Sequence, residues 1–290
     1  MATWMTRSSL FERLVLGLIM LILAFIMLFP FWYVFSASLS SYQDIVSGKI
    51  ILYPTGFNIA GYKYVLQESG VVRGLINSCI LVTAGTAINM FFTVTMAYGL
   101  SRTNVPGMKV ILWLVLLTLL IAPSLITKYL VVRELHLLDT LWALILPGAI
   151  APFNLIVLRQ FFMSIPGELI ESAKLDGATD LRILWSIILP LSKASLAAIT
   201  LFYAVAHWNN FFDATIFINN PALYPIAVVL RQIVLQGNLP QDASAVTEAP
   251  PPDLTVQMAV VVIATIPILL IYPFLQKYFT KGVLTGSIKG

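Results

Sequence analysis

Long apolar runs separated by short polar segments cover most of this 290-residue chain. A helix needs about 20 predominantly apolar residues to cross a hydrocarbon core roughly 30 Å thick. The pattern therefore predicts an all-α membrane protein with six transmembrane helices. The predicted helices span residues 14–35, 75–101, 110–130, 141–160, 187–208 and 255–279.

Four prolines fall within or at the edge of these runs: Pro123, Pro147, Pro190 and Pro267. Neighbouring membrane helices can satisfy the carbonyl groups that a proline leaves without a donor. We therefore expect kinks at these positions and no breaks in the helices.

The first apolar run is expected to stay in the membrane as an anchor. At residues 14–35 it is longer than the core of a signal peptide, which is about 7–15 residues. The Ser36-Ala37-Ser38 that follows could imitate a cleavage site. We nevertheless interpret 14–35 as the first transmembrane helix.

The composition excludes a soluble domain. Hydrophobic residues make up 59% of the chain and charged residues 10%, whereas soluble domains are about 45–50% apolar. If the N-terminus is cytoplasmic, 11 of the 17 Lys and Arg residues fall on the cytoplasmic side, which agrees with the positive-inside rule. The net charge of +4 thus indicates sidedness, with both termini cytoplasmic, and gives no reason to expect a nucleic-acid partner.

This topology divides the chain into alternating parts. Residues 1–13 form a cytoplasmic N-terminus, and 36–74 form an extracytoplasmic segment. The core transmembrane domain, 75–279, holds five helices and an outer loop at 209–254. Residues 280–290 form a cytoplasmic C-terminal tail.

A cluster of charges interrupts the apolar pattern between the fourth and fifth predicted helices. It contains Glu171, Lys174, Asp176, Asp180 and Arg182. Each charge placed at the bilayer centre costs about 2.5–3.5 kcal/mol on the insertion scale. We therefore expect this segment outside the lipid, on the cytoplasmic side, exposed to water or to a protein partner.

The same segment has the sequence features of two short helices joined by a tight turn. Pro166 suits a first helical turn, and Glu168 favours the positive end of the helix dipole. Gly177 can adopt the left-handed conformation that commonly ends a helix, and Thr179 can cap a second helix that begins at Asp180. An ordinary solvated loop helix is the alternative.

The spacing in this segment resembles the EAA loop of permease subunits of ATP-binding-cassette (ABC) importers. It reads Glu171-Ser172-Ala173, three residues, Gly177, nine residues, then Ile187-Ile188-Leu189-Pro190. Only Ser172 departs from the pattern, because alanine is usual there. The resemblance implies a coupling helix within 164–190 that docks in a groove on a cytoplasmic ATPase. The implied ATPase-coupling residues are Glu171, Ser172, Ala173, Asp176, Gly177 and Ala178.

Motifs elsewhere are similar to those of maltose-type sugar importers. They include Asn77-Ser78, Ala97-Tyr98-Gly99-Leu100-Ser101-Arg102 and Trp208-Asn209. The C-terminal Tyr272-Pro273-Phe274-Leu275 and Gly286-Ser287-Ile288-Lys289-Gly290 resemble the branch that serves oligosaccharides and polysaccharides, including uronate polymers such as alginate.

The resemblance implies a type I importer permease fold in a bacterial cytoplasmic (inner) membrane. The implied partners are a second homologous permease subunit, two ATP-binding ATPase subunits and an extracytoplasmic solute-binding protein that delivers an oligosaccharide. The first helix, 14–35, is expected to pack on the partner permease, with membrane lipid around the assembly. ATP and Mg²⁺ are expected in the ATPase subunits, so we expect no cofactor in this chain.

The sequence lacks motifs for nucleotide binding, metal binding and catalysis. It has no G-x-x-x-x-G-K-[ST] phosphate loop, so we do not expect this chain to hydrolyse ATP. His136 and His207 stand far apart without a Cys or His companion at ligand spacing, and we expect no metal site. Without a nucleophile motif we also expect no catalytic residue.

Polar residues inside the predicted helices are candidates for a substrate path. Asn89 and Thr93 lie one turn apart on the same face, and Asn154 lies deep in the fourth helix. The alternative role is hydrogen bonding between helices, worth about 0.6 kcal/mol per contact. Trp208 and Asn209 complete the candidates at the end of the fifth helix, where Trp208 could anchor at the membrane surface or stack on a sugar.

Three other function classes remain open. An importer permease for a non-sugar solute would share the coupling loop. A secondary transporter would need ion-coupling acids inside its helices, and the predicted helices contain no Asp or Glu. A membrane scaffold would leave the EAA spacing unexplained.

Overall fold

The structure is a computed structural model that describes residues 10–48, 53–68, 70–102, 105–121, 123–236 and 254–287, with side chains in the last helix as far as Ile271. All regular structure in these residues is helical. The helices are α1 (Leu10–Ser38), α2 (Tyr42–Val46), α3 (Ala60–Glu68), α4 (Gly70–Ser101), α5 (Met108–Leu120), α6 (Leu125–Glu134), α7 (Trp142–Gly148), α8 (Pro152–Met163), α9 (Gly167–Leu175), α10 (Asp180–Leu191), α11 (Lys193–Trp208), α12 (Phe212–Phe217), α13 (Ile226–Leu235) and α14 (Leu254–Ser287).

The all-α fold expected from the sequence is confirmed. In the described part of the chain, α1, α4 and α14 each contain a stretch long and apolar enough to cross a membrane. Two bent pairs, α7 with α8 and α10 with α11, reach that length only when each pair is counted as one span. The number of six spans and their sidedness stay predictions.

The expectation of kinks is wrong at three of the four prolines, where the helix breaks. α7 ends one residue after Pro147, and the chain bends by 50° before α8. α10 ends one residue after Pro190, and the next helix is turned by 85°. Pro123 lies between α5 and α6, so the predicted helix 110–130 is also divided. A proline removes one helical hydrogen bond and clashes with the preceding turn, which favours a change of direction there; Pro267 alone lies inside a continuous helix.

The chain forms two compact units, and the first comprises residues 1–68 and 248–263. The hydroxyl groups of Ser38 and Tyr62 lie 2.7 Å apart and join the end of α1 to α3. Within the described residues most of α1 has no cover, because all side chains of residues 11–32 are exposed. An apolar helix exposed on every side packs against lipid or against another protein.

The second unit comprises residues 69–247 and 264–290 and holds two apolar clusters. The first cluster packs the end of α4 against α5, α8, α10 and α11. Its buried members are Ala97, Tyr98, Leu100, Val115, Leu155, Leu158, Phe162, Ile183, Leu184, Ile188, Ile199 and Tyr203. The second cluster joins the middle of α4 to α6, α7, α12 and α13. Its buried members are Leu81, Val132, Ala143, Leu144, Ile145, Ala214, Phe217, Ile218 and Val228.

Parts of the predicted domain layout lie outside the described residues. These parts are 1–9 of the N-terminus, 49–52 and 69 of the extracytoplasmic segment, 103–104, 122 and 237–253 of the core domain, and 288–290 of the tail. The side chains of the C-terminal motif that starts at Tyr272 lie outside them as well. The layout in these stretches stays a prediction.

Candidate functional site

The turn after α9 has the hydrogen bonds of a Schellman motif. The amide of Ala178 donates to the carbonyl of Ala173 at 2.9 Å, and the amide of Gly177 donates to the carbonyl of Lys174 at 3.0 Å. Gly177 has a φ of +78°, a left-handed conformation that glycine adopts at no steric cost. The prediction that Asp176-Gly177 ends the first helix is confirmed.

The second helix starts where the sequence predicts. The side-chain oxygen of Thr179 accepts a hydrogen bond from the amide of Arg182 at 3.4 Å, as an N-cap residue does. α10 begins at Asp180, and Pro166 takes the cap position in front of α9. Residues 167–191 therefore form a helix, a tight turn and a helix.

All six predicted ATPase-coupling residues lie on or beside this turn. Ala173 and Ala178 are half-buried and pack against the first apolar cluster. The remaining four are exposed: Glu171, Ser172, Asp176 and Gly177. The two alanines thus fix the turn to the first apolar cluster. The other four residues lie on the opposite, exposed side of the turn.

Three large apolar side chains beside the turn are exposed, and the sequence analysis did not select them. The exposed fractions are 89% for Leu175, 70% for Leu181 and 69% for Trp185. Apolar residues exposed in a group commonly mark a contact surface. Within the described chain this surface has no cover.

The helix–turn–helix of residues 167–191, called the coupling turn after its predicted role, is tied to the end of α4 by a polar cluster. The hydroxyl of Tyr98 donates to the backbone carbonyl of Asp180 at 3.0 Å. The guanidinium of Arg102 contacts the same hydroxyl and lies 3.8 Å from the Asp180 carboxylate. The first residue of α10 is therefore held by α4, the helix that carries Asn89 and Thr93.

We expect Tyr98→Phe to loosen the coupling turn. The substitution removes a hydrogen bond to Asp180, which is worth about 0.5–1.5 kcal/mol. That free energy corresponds to roughly two- to twelvefold faster local opening. Amide hydrogen exchange over residues 177–183 measures it, with Tyr53→Phe, an exposed tyrosine, as the control. Equal exchange rates in both variants would contradict the expectation.

A cavity of about 350 Å³ lies in the same unit and takes lining residues from both apolar clusters. It is lined by the last turns of α11, the bend between α7 and α8, and the residues that lead into α12. Its polar lining consists of Asn89, Asn154, Tyr203, His207, Asn209, Asn210 and Asp213.

Side chains from other helices satisfy the backbone groups that the bend between α7 and α8 sets free. Pro152 has no N–H, so the carbonyl of Gly148 lacks its helical donor. The side-chain amide of Asn89 donates to that carbonyl at 3.0 Å. The hydroxyl of Tyr203 accepts from the amide of Ala151 at 2.9 Å. The broken helix is thus stabilised by α4 and α11.

The structure separates the predicted substrate-path residues into two groups. Asn89, Asn154 and Asn209 line the cavity. Thr93 does not: it is fully buried, with its hydroxyl 2.7 Å from that of Tyr203. Trp208 is also buried and lies outside the lining.

Four polar lining residues were missed from the sequence: Tyr203, His207, Asn210 and Asp213. Tyr203 and His207 are four residues apart and therefore share one face of α11. Two polar residues on one face of an otherwise apolar run are a signal that could have identified them.

His207 fills the space that Gly85 leaves open. Gly85 ends a π-helical turn of α4, Leu81–Gly85. A Cβ atom at this glycine would lie 2.6–3.0 Å from three atoms of the His207 imidazole. α4 and α11 therefore approach each other closely at the cavity wall, and only a glycine permits it.

Comparison with known proteins gives a family for this fold and site. The model of the family described as "Binding-protein-dependent transport system inner membrane component" matches residues 90–285. The Polygalacturonan/rhamnogalacturonan transport system permease protein YtcP of Bacillus subtilis (strain 168) is 45% identical over 98% of this chain and 100% of its own length. Protein LplC of the same organism is 44% identical over 91% of this chain and 90% of its own length.

Solved structures are similar as well. A chain in the crystal structure of a bacterial ABC transporter involved in the import of the acidic polysaccharide alginate has 30% sequence identity and a TM-score of 0.85, over 96% of this chain and 100% of that chain. A chain of the bacterial alginate ABC transporter in complex with alginate pentasaccharide-bound periplasmic protein shares the fold, with 19% identity and a TM-score of 0.55 over 91% and 93% of the two chains.

The fold and family expected from the EAA loop are confirmed by these matches. The family match covers the cavity residue Asn154 and the whole coupling turn. This chain belongs to the family of inner membrane components of binding-protein-dependent transport systems, with the type I importer permease fold.

Proposed function

We propose that this chain is one of two permease subunits of an ATP-driven importer and that the cavity is its part of the path for an oligosaccharide. The relation between the coupling turn and the cavity carries the proposal. The turn leads through α10 into the start of α11, and the cavity is lined by the last turns of α11. α11 has 16 residues and is therefore about 24 Å long. A rigid helix of this length transmits a displacement of the turn to the cavity wall.

The proposed partners at the turn are two ATPase subunits, one for each permease. Glu171 offers an exposed negative charge, and Leu175 offers an exposed apolar side chain beside it. Such a surface fits a groove that has apolar walls and a basic residue. ATP and Mg²⁺ then belong to the ATPase subunits, and hydrolysis takes place there.

The second proposed partner is a homologous, non-identical permease. The exposed apolar residues 11–32 of α1 provide a surface for it, in agreement with the role that the resemblance implies for this helix. The residues of this chain enclose the cavity only in part, so a single copy does not form a closed path. The two permeases together would form a closed one.

The proposed sidedness follows from the ATPase. Its subunits are cytoplasmic, so the coupling turn is cytoplasmic and the cavity end of α11 faces the outside. Both termini are then cytoplasmic, as the distribution of Lys and Arg predicts. A solute-binding protein delivers the substrate at the outer face, as the family's description implies.

A blocking experiment tests the path. In a Cys79→Ser background, which removes the only native cysteine, Asn154→Cys places a thiol in the cavity wall. With all partner subunits co-expressed, we expect a bulky thiol reagent to abolish oligosaccharide uptake. Tyr53→Cys, an exposed position in the other unit, is the control and should transport normally after modification.

The same preparation tests the subunit composition. We expect the tagged chain to copurify with one non-identical permease and two ATPase chains.

Undiminished uptake after complete modification of Asn154→Cys would show that the cavity is not the path. Transport by this chain without an ATPase would refute the assembly.

A further inference from the structure

An ion pair involves one residue of the cavity lining. Lys128 of α6 places its Nζ atom 2.8 and 2.7 Å from the two carboxylate oxygens of Asp213. Asp213 belongs to the cavity lining, and Lys128 reaches it from outside that lining. About 30% of each side chain is exposed, 31% for Lys128 and 27% for Asp213. The ammonium group thus holds a carboxylate of the cavity lining.

A second cation contacts the cavity lining. The guanidinium of Arg231 lies over the ring of Phe211, 4.2 Å from its centroid, and Phe211 also lines the cavity. Among the described residues, no carboxylate forms an ion pair with Arg231. Two cations and one anion give this part of the cavity wall a net positive charge, which attracts an anionic ligand.

A buried polar atom of one lining residue has no hydrogen-bond partner among the described residues. Asn89 donates through its amide nitrogen to Gly148, but its Oδ1 atom is buried and accepts no hydrogen bond within the described chain. A buried acceptor without a donor is unfavourable. A ligand hydroxyl that reaches this atom would satisfy it.

We propose that Lys128 binds a carboxylate of the substrate, that Asp213 occupies Lys128 when no substrate is present, and that the substrate is a hydroxyl-rich acidic sugar, a uronate oligosaccharide. The inference rests on the proposed path through the cavity. It assigns the carboxylate to Lys128 and Arg231, and a hydroxyl to the buried Oδ1 atom of Asn89.

Asp213 acts as an internal competitor in this arrangement. An uncompensated ammonium group in a partly buried site is unfavourable, and the aspartate neutralises it between transport events. A substrate carboxylate replaces the ion pair between Lys128 and Asp213 by an equivalent pair with Lys128. Because the two pairs are similar in free energy, binding stays reversible. A neutral sugar offers no such exchange and leaves the pair closed.

Thiol protection tests the exchange in the co-expressed importer. Phe212→Cys in the Cys79→Ser background places an exposed reporter thiol in the lining. The probes are trigalacturonate and its uncharged methyl ester. Protection is taken as the ratio of modification rates without and with sugar for each variant, so that altered thiol reactivity cancels.

Substitutions of the two partners have opposite expected effects. Lys128→Gln should raise the concentration of trigalacturonate that gives half-maximal protection about tenfold. The reason is that the variant loses a hydrogen bond to a charged group. Asp213→Asn should lower it, because the competitor is gone. Lys128→Arg keeps the charge and should retain protection, and copurified partner subunits show that each variant assembles.

Each contrary outcome has its own meaning. A purely structural ion pair would make Lys128→Gln and Asp213→Asn weaken protection alike, which overturns the exchange. Equal protection by the acid and its ester overturns the carboxylate site and leaves the proposed path intact. If neither sugar protects the reporter at any concentration, the path through this cavity and the inference both fail.

Discussion

Gly177→Val is expected to leave the transmembrane helices folded while uncoupling ATP hydrolysis from transport. Gly177 has a φ of +78°, where a Cβ atom costs about 1 kcal/mol or more and a β-branched side chain costs most. No atom of the described chain lies within 4 Å of the Cβ position. The penalty within this chain is therefore one of backbone conformation, and it falls on the turn that the ATPase is proposed to receive.

A graded series separates this cause from a general effect of substitution. Asn tolerates the left-handed region better than other residues with a Cβ atom. We therefore expect the loss of coupling to be smallest for Gly177→Asn, larger for Gly177→Ala and largest for Gly177→Val. Gly167→Ala is the matched control, because Gly167 begins the same helix, has open space around it and has no positive φ. Copurified ATPase, ATP hydrolysis and sugar uptake are measured together. Indistinguishable values for Gly177→Val and Gly167→Ala would mean that the turn is an ordinary solvated loop.

Gly85→Ala is expected to destabilise the second unit by about 1–3 kcal/mol, the usual cost of overpacking. The new methyl group would lie 2.6 Å from Nε2 of His207 and within 3.0 Å of two further ring atoms. The imidazole is only 5% exposed, so it has little room to move. Denaturant or thermal unfolding of the purified complex measures the loss.

A double substitution identifies the contact responsible. His207→Ala removes the ring, so Gly85→Ala should cost less in that background than in the native one. Gly99→Ala is the control in the same helix, because its Cβ would meet only the end of Met108 at 3.9 Å. Additive losses in the double variant would show that the imidazole is not what opposes the methyl group.

The coupling turn could be predicted because its interactions are local. The bonds that end α9 join residues three and five positions apart, and the cap of Thr179 reaches only to Arg182. Such bonds depend on a glycine and a hydroxyl at fixed spacing, which the sequence displays directly. The exposed group around Leu175 was not predictable in this way, since burial depends on the whole fold.

The breaks were not predictable because distant side chains stabilise them. Whether a proline kinks or breaks a helix depends on where its free carbonyl finds a donor. At the bend after Pro147, the carbonyl of Gly148 is left free by Pro152, and its donor is Asn89, 59 residues away in the chain. Ala151 in turn donates to Tyr203, 52 residues away. The same contacts decided which polar residues reach the cavity and which, like Thr93, are buried behind it.

The exposed side chains of Leu175, Leu181 and Trp185 also bear on how the cell must handle this protein. A copy synthesised without its partners would present these three groups to water in a charged, solvated segment. Chaperones and proteases recognise exposed apolar surface. A bound partner covers this surface and so protects the chain from them. The steady-state amount of this chain is therefore expected to follow the supply of its partners more closely than its own rate of synthesis.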